Sequence, residues 1–161
     1  MSRRRLQPAA IEAPDSQGPG ARGLDLIQAA PGERRGRERQ IVQRWIDAFN
    51  ARDLEGMLSC MSPVVAFQPV RLHGIERTYN GRDGITRWHG RLGRLHLDDR
   101  IEVRELTVPG TMTVLAVGRL GVEALDSWTP FWGVHTIDDG LIVAARHHRG
   151  DVEPAERFAT R

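Results

Sequence analysis

The sequence predicts an α+β fold in which helices pack on one face of a sheet. Between residues 35 and 95, three segments repeat apolar residues at helical spacing, and one strand-like apolar segment lies between the second and the third. After residue 100, long stretches of strand character are separated by turn residues. This order of helical and strand spacing is typical of α+β domains.

Residues 1–33 form an arm that precedes the predicted domain. They are rich in Arg, Pro, Gly and Ala and contain one brief apolar run, Leu24–Ile27. Such a segment buries too little apolar surface to offset the entropy lost on ordering, so we expect it to be disordered. The folded domain is expected over residues 34–158, with a short tail at 159–161.

The first two helices are predicted from their apolar stripe and their cap. Helix one is expected at residues 35–51, where Ile41, Trp45 and Phe49 lie on one stripe. Asp53 suits the N-cap of the second, shorter helix. A proline at position 63 then ends that helix.

The rest of the chain is predicted as a strand, a third helix and a four-stranded antiparallel meander. The strand is expected at 64–70, an irregular polar segment at 71–80, and the helix after Gly81–Gly84. The meander strands are expected at 100–107, 111–122, 127–137 and 141–149. Asp138-Asp139-Gly140 is a strong hairpin signal between the last two.

Composition excludes several classes of chemistry and partner. All 23 basic residues are arginine, so no lysine is present for Schiff-base chemistry or a Walker-type phosphate site. Arginines in the arm could bind nucleic acid or membranes non-specifically, but a general bias of arginine over lysine also explains them, and we expect no specific nucleic-acid partner.

No run of 18 apolar residues exists to span a membrane. The single cysteine, Cys60, is expected to be a packing residue and favours a reducing compartment, the cytoplasm.

Three motifs carry a resemblance to a known superfamily. They are Phe49-Asn50-Ala51-Arg52-Asp53-Leu54, Tyr79-Asn80-Gly81-Arg82-Asp83-Gly84-Ile85 and Val134-His135-Thr136-Ile137-Asp138-Asp139-Gly140-Leu141-Ile142. In this order and at these spacings, the chain from about 38 to 158 resembles the SnoaL-like and nuclear-transport-factor-2-like (NTF2-like) superfamily. The resemblance implies a cone of three N-terminal helices on a curved antiparallel sheet, with one small-molecule pocket.

The resemblance is closest to the ketosteroid isomerases, but their catalytic residues are replaced. The positions of the isomerase tyrosine, aspartate base and late-strand aspartic acid fall on Trp45, Gln68 and Trp132. An indole only donates, and glutamine cannot abstract a carbon-bound proton, so isomerase activity is not expected. The epoxide-hydrolase branch uses an Arg-x-Asp pair on a core strand, whereas the one here, at 149–151, ends the last strand.

The predicted hairpin places one histidine in the pocket. If Asp139-Gly140 is a two-residue turn, Trp132 lies opposite His147, and the isomerase-like mapping points Trp132 inward. His147 is therefore the acid/base candidate, since an imidazole titrates near neutral pH. The alternative is a histidine that stacks on Trp132 and contributes only shape.

The expected pocket is an apolar slot for a small, flat, mostly apolar molecule. Tryptophans from three different elements are expected to converge there. Tyr79, near the mouth, either donates a hydrogen bond to a ligand or makes a structural bond within its loop. The predicted lining is Trp45, Gln68, Tyr79, Trp88, Trp132, Val134 and His147.

Neither a metal nor a nucleotide cofactor is expected. The adjacent strand residues His147 and His148 point to opposite faces and cannot both bind one ion. The sequence has no His-x-x-x-His pair or Cys/His cluster, and His135 is expected to face solvent or an interface. No glycine-rich phosphate loop follows a strand.

Two functions from different classes remain. The first is a SnoaL-like protein that binds a small apolar molecule in its cone, with or without cofactor-free acid/base chemistry of isomerase, cyclase or hydrolase type. The second is a non-enzymatic interaction domain that forms a homodimer through the outer sheet face, where Phe131, Arg146 and His148 are expected. A cavity of several hundred Å³ with converging polar groups favours the first, and a cone filled by its own tryptophans favours the second.

Overall fold

The computed structural model describes residues 30–150, which form three α-helices and six strands. The helices are α1 (Pro31–Asn50), α2 (Leu54–Ser59) and α3 (Gly81–Arg94). The strands are β1 (Met61–Gln68), β2 (Tyr79–Asn80), β3 (Arg100–Gly110), β4 (Thr113–Val122), β5 (Ser127–Asp138) and β6 (Leu141–Arg149). The predicted α+β class is confirmed. Helix α1 begins within the predicted arm, whose residues 1–29 lie, like 151–161, outside the described residues.

The junction between α1 and α2 is set by a capped turn. Arg52 adopts a left-handed conformation with φ of 58°, which reverses the chain after α1. The Asp53 side chain then accepts a hydrogen bond from the Gly56 N–H at 3.0 Å, so the predicted N-cap is confirmed. This turn places the Arg52 side chain beside the end of α1, where Phe49 is buried.

The sheet has the strand order β2-β1-β6-β5-β4-β3. Strands β3 to β6 form the predicted antiparallel meander. Strand β1, however, pairs with β6 in parallel, so the predicted antiparallel sheet contains one parallel pair. The chain between β1 and β6 includes α3 and the meander, and a connection of that length permits parallel pairing.

The two faces of the sheet differ in what covers them. The inner face packs against the helices and contributes Phe67, Phe131 and Ile142 to the main core. The outer face is the opposite one, and it carries a smaller cluster formed by Leu115, Val117 and Trp132. Strand β4 therefore buries side chains on both faces, as its sequence predicts.

A β-bulge in the β5–β6 hairpin changes which side chains face the core. Next to the turn, Asp138 pairs with Leu141 and Ile137 with Ile142, as a two-residue turn predicts. Further along, Thr136 pairs with Ala144, so β6 contains one extra residue. Such a bulge reverses the facing of all later residues in β6 relative to an unbroken ladder.

The predicted pairing of Trp132 with His147 is wrong because of this bulge. Trp132 pairs with His148, and Gly133 pairs with His147. Alternation along β5 from the buried Ile137 places Phe131 on the inner face and Trp132 on the outer face. His147 nevertheless faces inward. Trp132 faces outward and not inward, and the bulge places His147 on the face opposite to that of Trp132.

Candidate functional site

Aromatic side chains fill most of the cone interior. Trp45 from α1 and Trp88 from α3 lie nearly parallel, with ring centroids 6.4 Å apart. Phe67 from β1 contacts Trp88 edge-on at 4.5 Å, and Phe49 stacks on Trp88 at 5.7 Å. Two of the three expected tryptophans therefore meet in the interior, and Trp132 does not.

Two buried histidines form a hydrogen-bonded pair beneath these rings. The Nε2 atoms of His135 and His147 are 3.1 Å apart, so one ring donates and the other accepts. His135 is fully buried and His147 is 6% exposed. Edge contacts with Trp45, Phe67 and Phe131 enclose His147 at centroid distances of 5.1–5.2 Å.

Burial keeps both imidazoles neutral. It lowers the pKa of His135 to about 4, opposed in part by an interaction with the Val114 backbone. Burial also lowers the pKa of His147 well below its ordinary value, and the nearby His135 and His148 lower it further. At neutral pH the pair is therefore uncharged.

The absence of a side chain at Gly133 gives the pair its space. A Cβ atom added at Gly133 would lie 2.9 Å from Cδ2 of His147 and 3.0 Å from Cε1 of His135. Even an alanine at this position would press on both rings.

A small cavity lies inside the cone. Its volume is about 30 Å³, close to the volume that one water molecule occupies in the liquid. Most of its lining is apolar, and Arg52, Asp99 and His147 supply ionisable groups. The apolar lining consists of Phe49, Pro69, Val70, Leu72, Ile75, Trp88, Leu92, Leu97, Ile101, Leu120 and Phe131.

Arg52 joins the helices to the segment that enters β3. Its Nη2 donates to the carbonyl oxygens of Leu97 and Asp99 at 2.7 and 2.8 Å. The guanidinium also lies 4.9 Å from the ring centroid of Phe49. Partial burial lowers the pKa of Arg52, whereas Asp98 and Asp99 oppose that shift.

Two irregular segments, 69–78 and 95–99, form part of the cavity wall. Leu72 and Ile75 belong to the segment 69–78, which is tied down by a 2.8 Å hydrogen bond from Arg91 Nε to the Gly74 carbonyl. The Tyr79 hydroxyl also accepts a hydrogen bond from the Glu76 N–H at 3.0 Å. Leu97 and Asp99 belong to the segment 95–99, which Arg52 holds.

The structure brings together only part of the predicted lining. Trp88 and His147 line the cavity, and Trp45 is buried behind them. Gln68 pairs with Arg146 and, next to the inward Phe67, faces the outer side. Val134 packs on the outer cluster with Trp132, so these three positions were wrongly assigned to the cone interior.

Tyr79 and His135 have structural surroundings that differ from their expected ones. Tyr79 is buried, and its hydroxyl makes the loop hydrogen bond that was the alternative to ligand contact. His135, expected at the surface, is fully buried in the histidine pair. Strand β5 is apolar on both faces, so alternation alone did not distinguish its inner side.

Among the cavity residues that the sequence did not predict, two are ionisable, Arg52 and Asp99. Arg52 lies within the first family motif, where its position between two helices was the available signal. Asp99 had no signal, because its place depends on how the segment 95–99 folds back onto α1.

A wide groove lies on the outer side of the sheet. Its volume is about 720 Å³, much larger than that of the inner cavity. Arg119 crosses the groove, with its guanidinium 4.2 Å from the ring centroid of Trp128 and an ion pair to Glu102. Beside it, Trp132 stacks on His148 with ring centroids 3.9 Å apart.

The family comparison decides what this architecture is. The family model of the SnoaL-like domain matches residues 42–145, which includes α2, α3 and nearly the whole sheet. This chain belongs to the SnoaL-like domain family. A comparison with curated protein sequences finds no match.

Solved structures share the fold of this SnoaL-like domain at low sequence identity. TerC, co-crystallised with polyporic acid, has a TM-score of 0.63 and 20% identity over 78% of this chain and 99% of its own. An NTF2-like protein from Burkholderia pseudomallei has a TM-score of 0.60 and 20% identity over 78% and 98%. A protein from Xanthomonas campestris named as a candidate polyketide cyclase has a TM-score of 0.55 and 19% identity over 78% and 98%. These values establish the fold and leave the activity to the site.

Neither a metal centre nor a membrane span is present in the described part of the SnoaL-like domain. Within residues 30–150, no three His, Cys, Asp or Glu side chains are grouped so as to hold an ion. Over the same residues, no helix is long and apolar enough to cross a membrane.

Proposed function

We propose that this SnoaL-like domain binds a small, mostly apolar molecule in its cone. The inner cavity, at about 30 Å³, is far below the several hundred Å³ that favours ligand binding. The proposal therefore rests on the composition of its lining, in which apolar side chains surround the polar groups of Arg52, Asp99 and His147. Apolar walls with a few polar groups are the usual composition of small-molecule sites.

The ligand enters by displacing the segment 69–78. A cavity of about 30 Å³ holds no organic molecule, so binding requires the wall to move. This segment has no helix or strand of its own between β1 and β2, and two side-chain hydrogen bonds hold it, one from Arg91 to the Gly74 carbonyl and one from the Glu76 N–H to the Tyr79 hydroxyl. Moving Leu72 and Ile75 outward exposes the cavity without disturbing the sheet.

The related structures agree with a binding role. TerC was crystallised with polyporic acid, and two other neighbours are named as candidate polyketide cyclases. These names support a cone that accepts small organic molecules, which we extend to this chain as part of the proposal.

Blocking the cavity tests the proposal. We expect wild-type protein to bind the flat, neutral probe 2-naphthamide in calorimetric titrations, and Leu72→Trp to weaken binding at least about tenfold by filling the cavity. His73→Trp, on the exposed neighbour of Leu72, is the matched control and should bind as the wild type does. Equal binding by both variants would place the ligand elsewhere.

His147 remains the candidate for acid/base chemistry. It lines the cavity, whereas its partner His135 does not. Its lowered pKa leaves it unprotonated at neutral pH, so it can accept a proton but does so with a small driving force. His135 would orient the ring through the Nε2–Nε2 hydrogen bond.

A homodimerisation domain is the second candidate. The filled cone favours it, and the outer groove with Trp128, Pro130 and Arg119 offers a mixed apolar and charged surface. A sheet face of this kind suits an isologous contact with a second copy.

We also propose a cytoplasmic location, on the basis of the single free cysteine.

A further inference from the structure

We infer that the ligand of this cone carries an anionic oxygen, held between Arg52 and Trp88, on a flat apolar body. The inference rests on the proposed function and narrows its substrate class to small aromatic or similarly flat acids. It comes from buried hydrogen-bond donors at the cavity that the protein itself does not satisfy.

The Arg52 guanidinium has a buried nitrogen that makes no hydrogen bond. Its Nη2 serves two backbone carbonyls, but its Nη1 is buried and has no hydrogen-bond partner. A buried guanidinium N–H without an acceptor costs free energy, and a ligand oxygen would recover it. Because the group is charged, an anionic oxygen is the strongest partner.

Trp88 supplies a second donor at the same cavity. The side chain is 4% exposed, and its indole Nε1 is buried without a partner. Trp88 and Arg52 both line a space that holds about one water-sized group. A carboxylate or phenolate oxygen bound in that space would therefore lie against both residues.

The charges around the cavity leave Arg52 as the cation that a ligand can use. Asp99 also lines the cavity, but its Oδ2 lies 3.2 Å from Nη2 of Arg149. Arg52 itself forms no ion pair with a carboxylate among residues 30–150, although Asp98 and Asp99 influence it at longer range. The histidine pair is neutral at neutral pH, so it supplies no second positive charge for an anionic ligand.

The apolar body of the ligand has a defined place. Leu72, Ile75 and Leu97 line the side of the cavity that the irregular segments close. When the segment 69–78 moves outward, a flat ring system can lie between these side chains and Trp88. The oxygen then points toward α1 and the rings toward the opening.

A pair of isosteric probes tests the inference. We would titrate wild-type protein with 2-naphthoate and with its neutral analogue 2-naphthamide. We expect 2-naphthoate to bind at least about tenfold more tightly, because charge-assisted hydrogen bonds exceed neutral ones. Trp88→Phe should weaken 2-naphthoate about tenfold and 2-naphthamide by about threefold or less.

Trp45→Phe is the matched control variant. Trp45 also carries a buried indole N–H without a partner, but it does not line the cavity. Its replacement should leave the preference for 2-naphthoate over 2-naphthamide unchanged. Arg52→Gln should abolish that preference, and if the loss of the contacts to Leu97 and Asp99 prevents folding, the reduced preference expected of Trp88→Phe still tests the inference.

The outcomes separate the inference from the proposed function. Binding of neither probe by the wild type would overturn both. Equal affinity for the two probes, or a Trp45→Phe variant that loses the preference as Trp88→Phe does, would overturn the anionic ligand while leaving the apolar binding site standing.

Discussion

Acid should destabilise this protein through its buried histidine pair. Burial lowers the folded-state pKa of His135 from an ordinary 6.5 to about 4, whereas the unfolded chain keeps the ordinary value. Between these two pH values the unfolded state binds a proton that the folded state does not. The contribution of neutral His135 to the free energy of unfolding is therefore fully present above about pH 6.5, and it is lost as the pH is lowered toward 4.

The size of the effect follows from the shift in the pKa of His135. Each pH unit below 6.5 removes about 1.4 kcal/mol for one such group, so His135 alone costs about 2 kcal/mol at pH 5.0. His147 acts in the same direction, because its folded-state pKa is lowered as well. Since domains are stable by only about 5–15 kcal/mol, the change is easily measured.

Urea denaturation at pH 7.5, 6.0 and 5.0, followed by tryptophan fluorescence and circular dichroism, measures this loss. The double variant His135→Leu/His147→Leu replaces both polar partners with apolar groups, which can be nearly neutral for stability. The free energy of unfolding of this double variant should change little between pH 7.5 and pH 5.0. The control His73→Gln, on an exposed histidine, should behave as the wild type does.

Two results would refute the reasoning. One is a wild-type free energy of unfolding that stays constant from pH 7.5 to 5.0. The other is a double variant that loses as much stability as the wild type, which would assign the acid sensitivity to groups other than the histidine pair.

Two further predictions concern chemistry and assembly. If a bound ligand is turned over with His147 as base, His147→Gln should lower the rate about 10²–10⁴-fold while 2-naphthamide still binds, and an unchanged rate would exclude that role. If the protein pairs through its outer sheet face, light scattering at tens of micromolar should give twice the 18.1 kDa chain mass. Pro130→Asp in the outer groove should then weaken the dimer at least about tenfold, whereas Gln40→Asp, exposed on α1, should not. A wild-type mass of 18.1 kDa under these conditions would contradict the dimer.

Local patterns in the sequence were enough to predict the elements and the fold class. Ile41, Trp45 and Phe49 repeat at helical spacing because one stripe of α1 packs on the sheet. Asp53 caps α2 through a bond to a residue only three positions away. The turn at Asp139-Gly140 also depends on adjacent residues, and the first pairs beside it are those that the sequence predicts.

The candidate site depended on features that no local pattern encodes. The extra residue in β6 leaves no mark in the apolar run Val143–Ala145, yet it decides that His147 faces the core opposite Gly133. Strand β5 carries apolar side chains on both faces, so its alternation was compatible with either orientation of Trp132.

The sequence by itself determined the helices and the hairpin turn, because each depends on periodicity or on residues close in the chain, and the resemblance of its three motifs indicated the SnoaL-like fold. Only the tertiary structure decided that His135 and His147 meet, that Trp132 lies outside the cone and that Arg52 reaches the cavity. These outcomes arise from a strand irregularity and from contacts between residues 12 to 47 positions apart. The free energy of such contacts depends on how whole elements pack against each other, which a single sequence does not display.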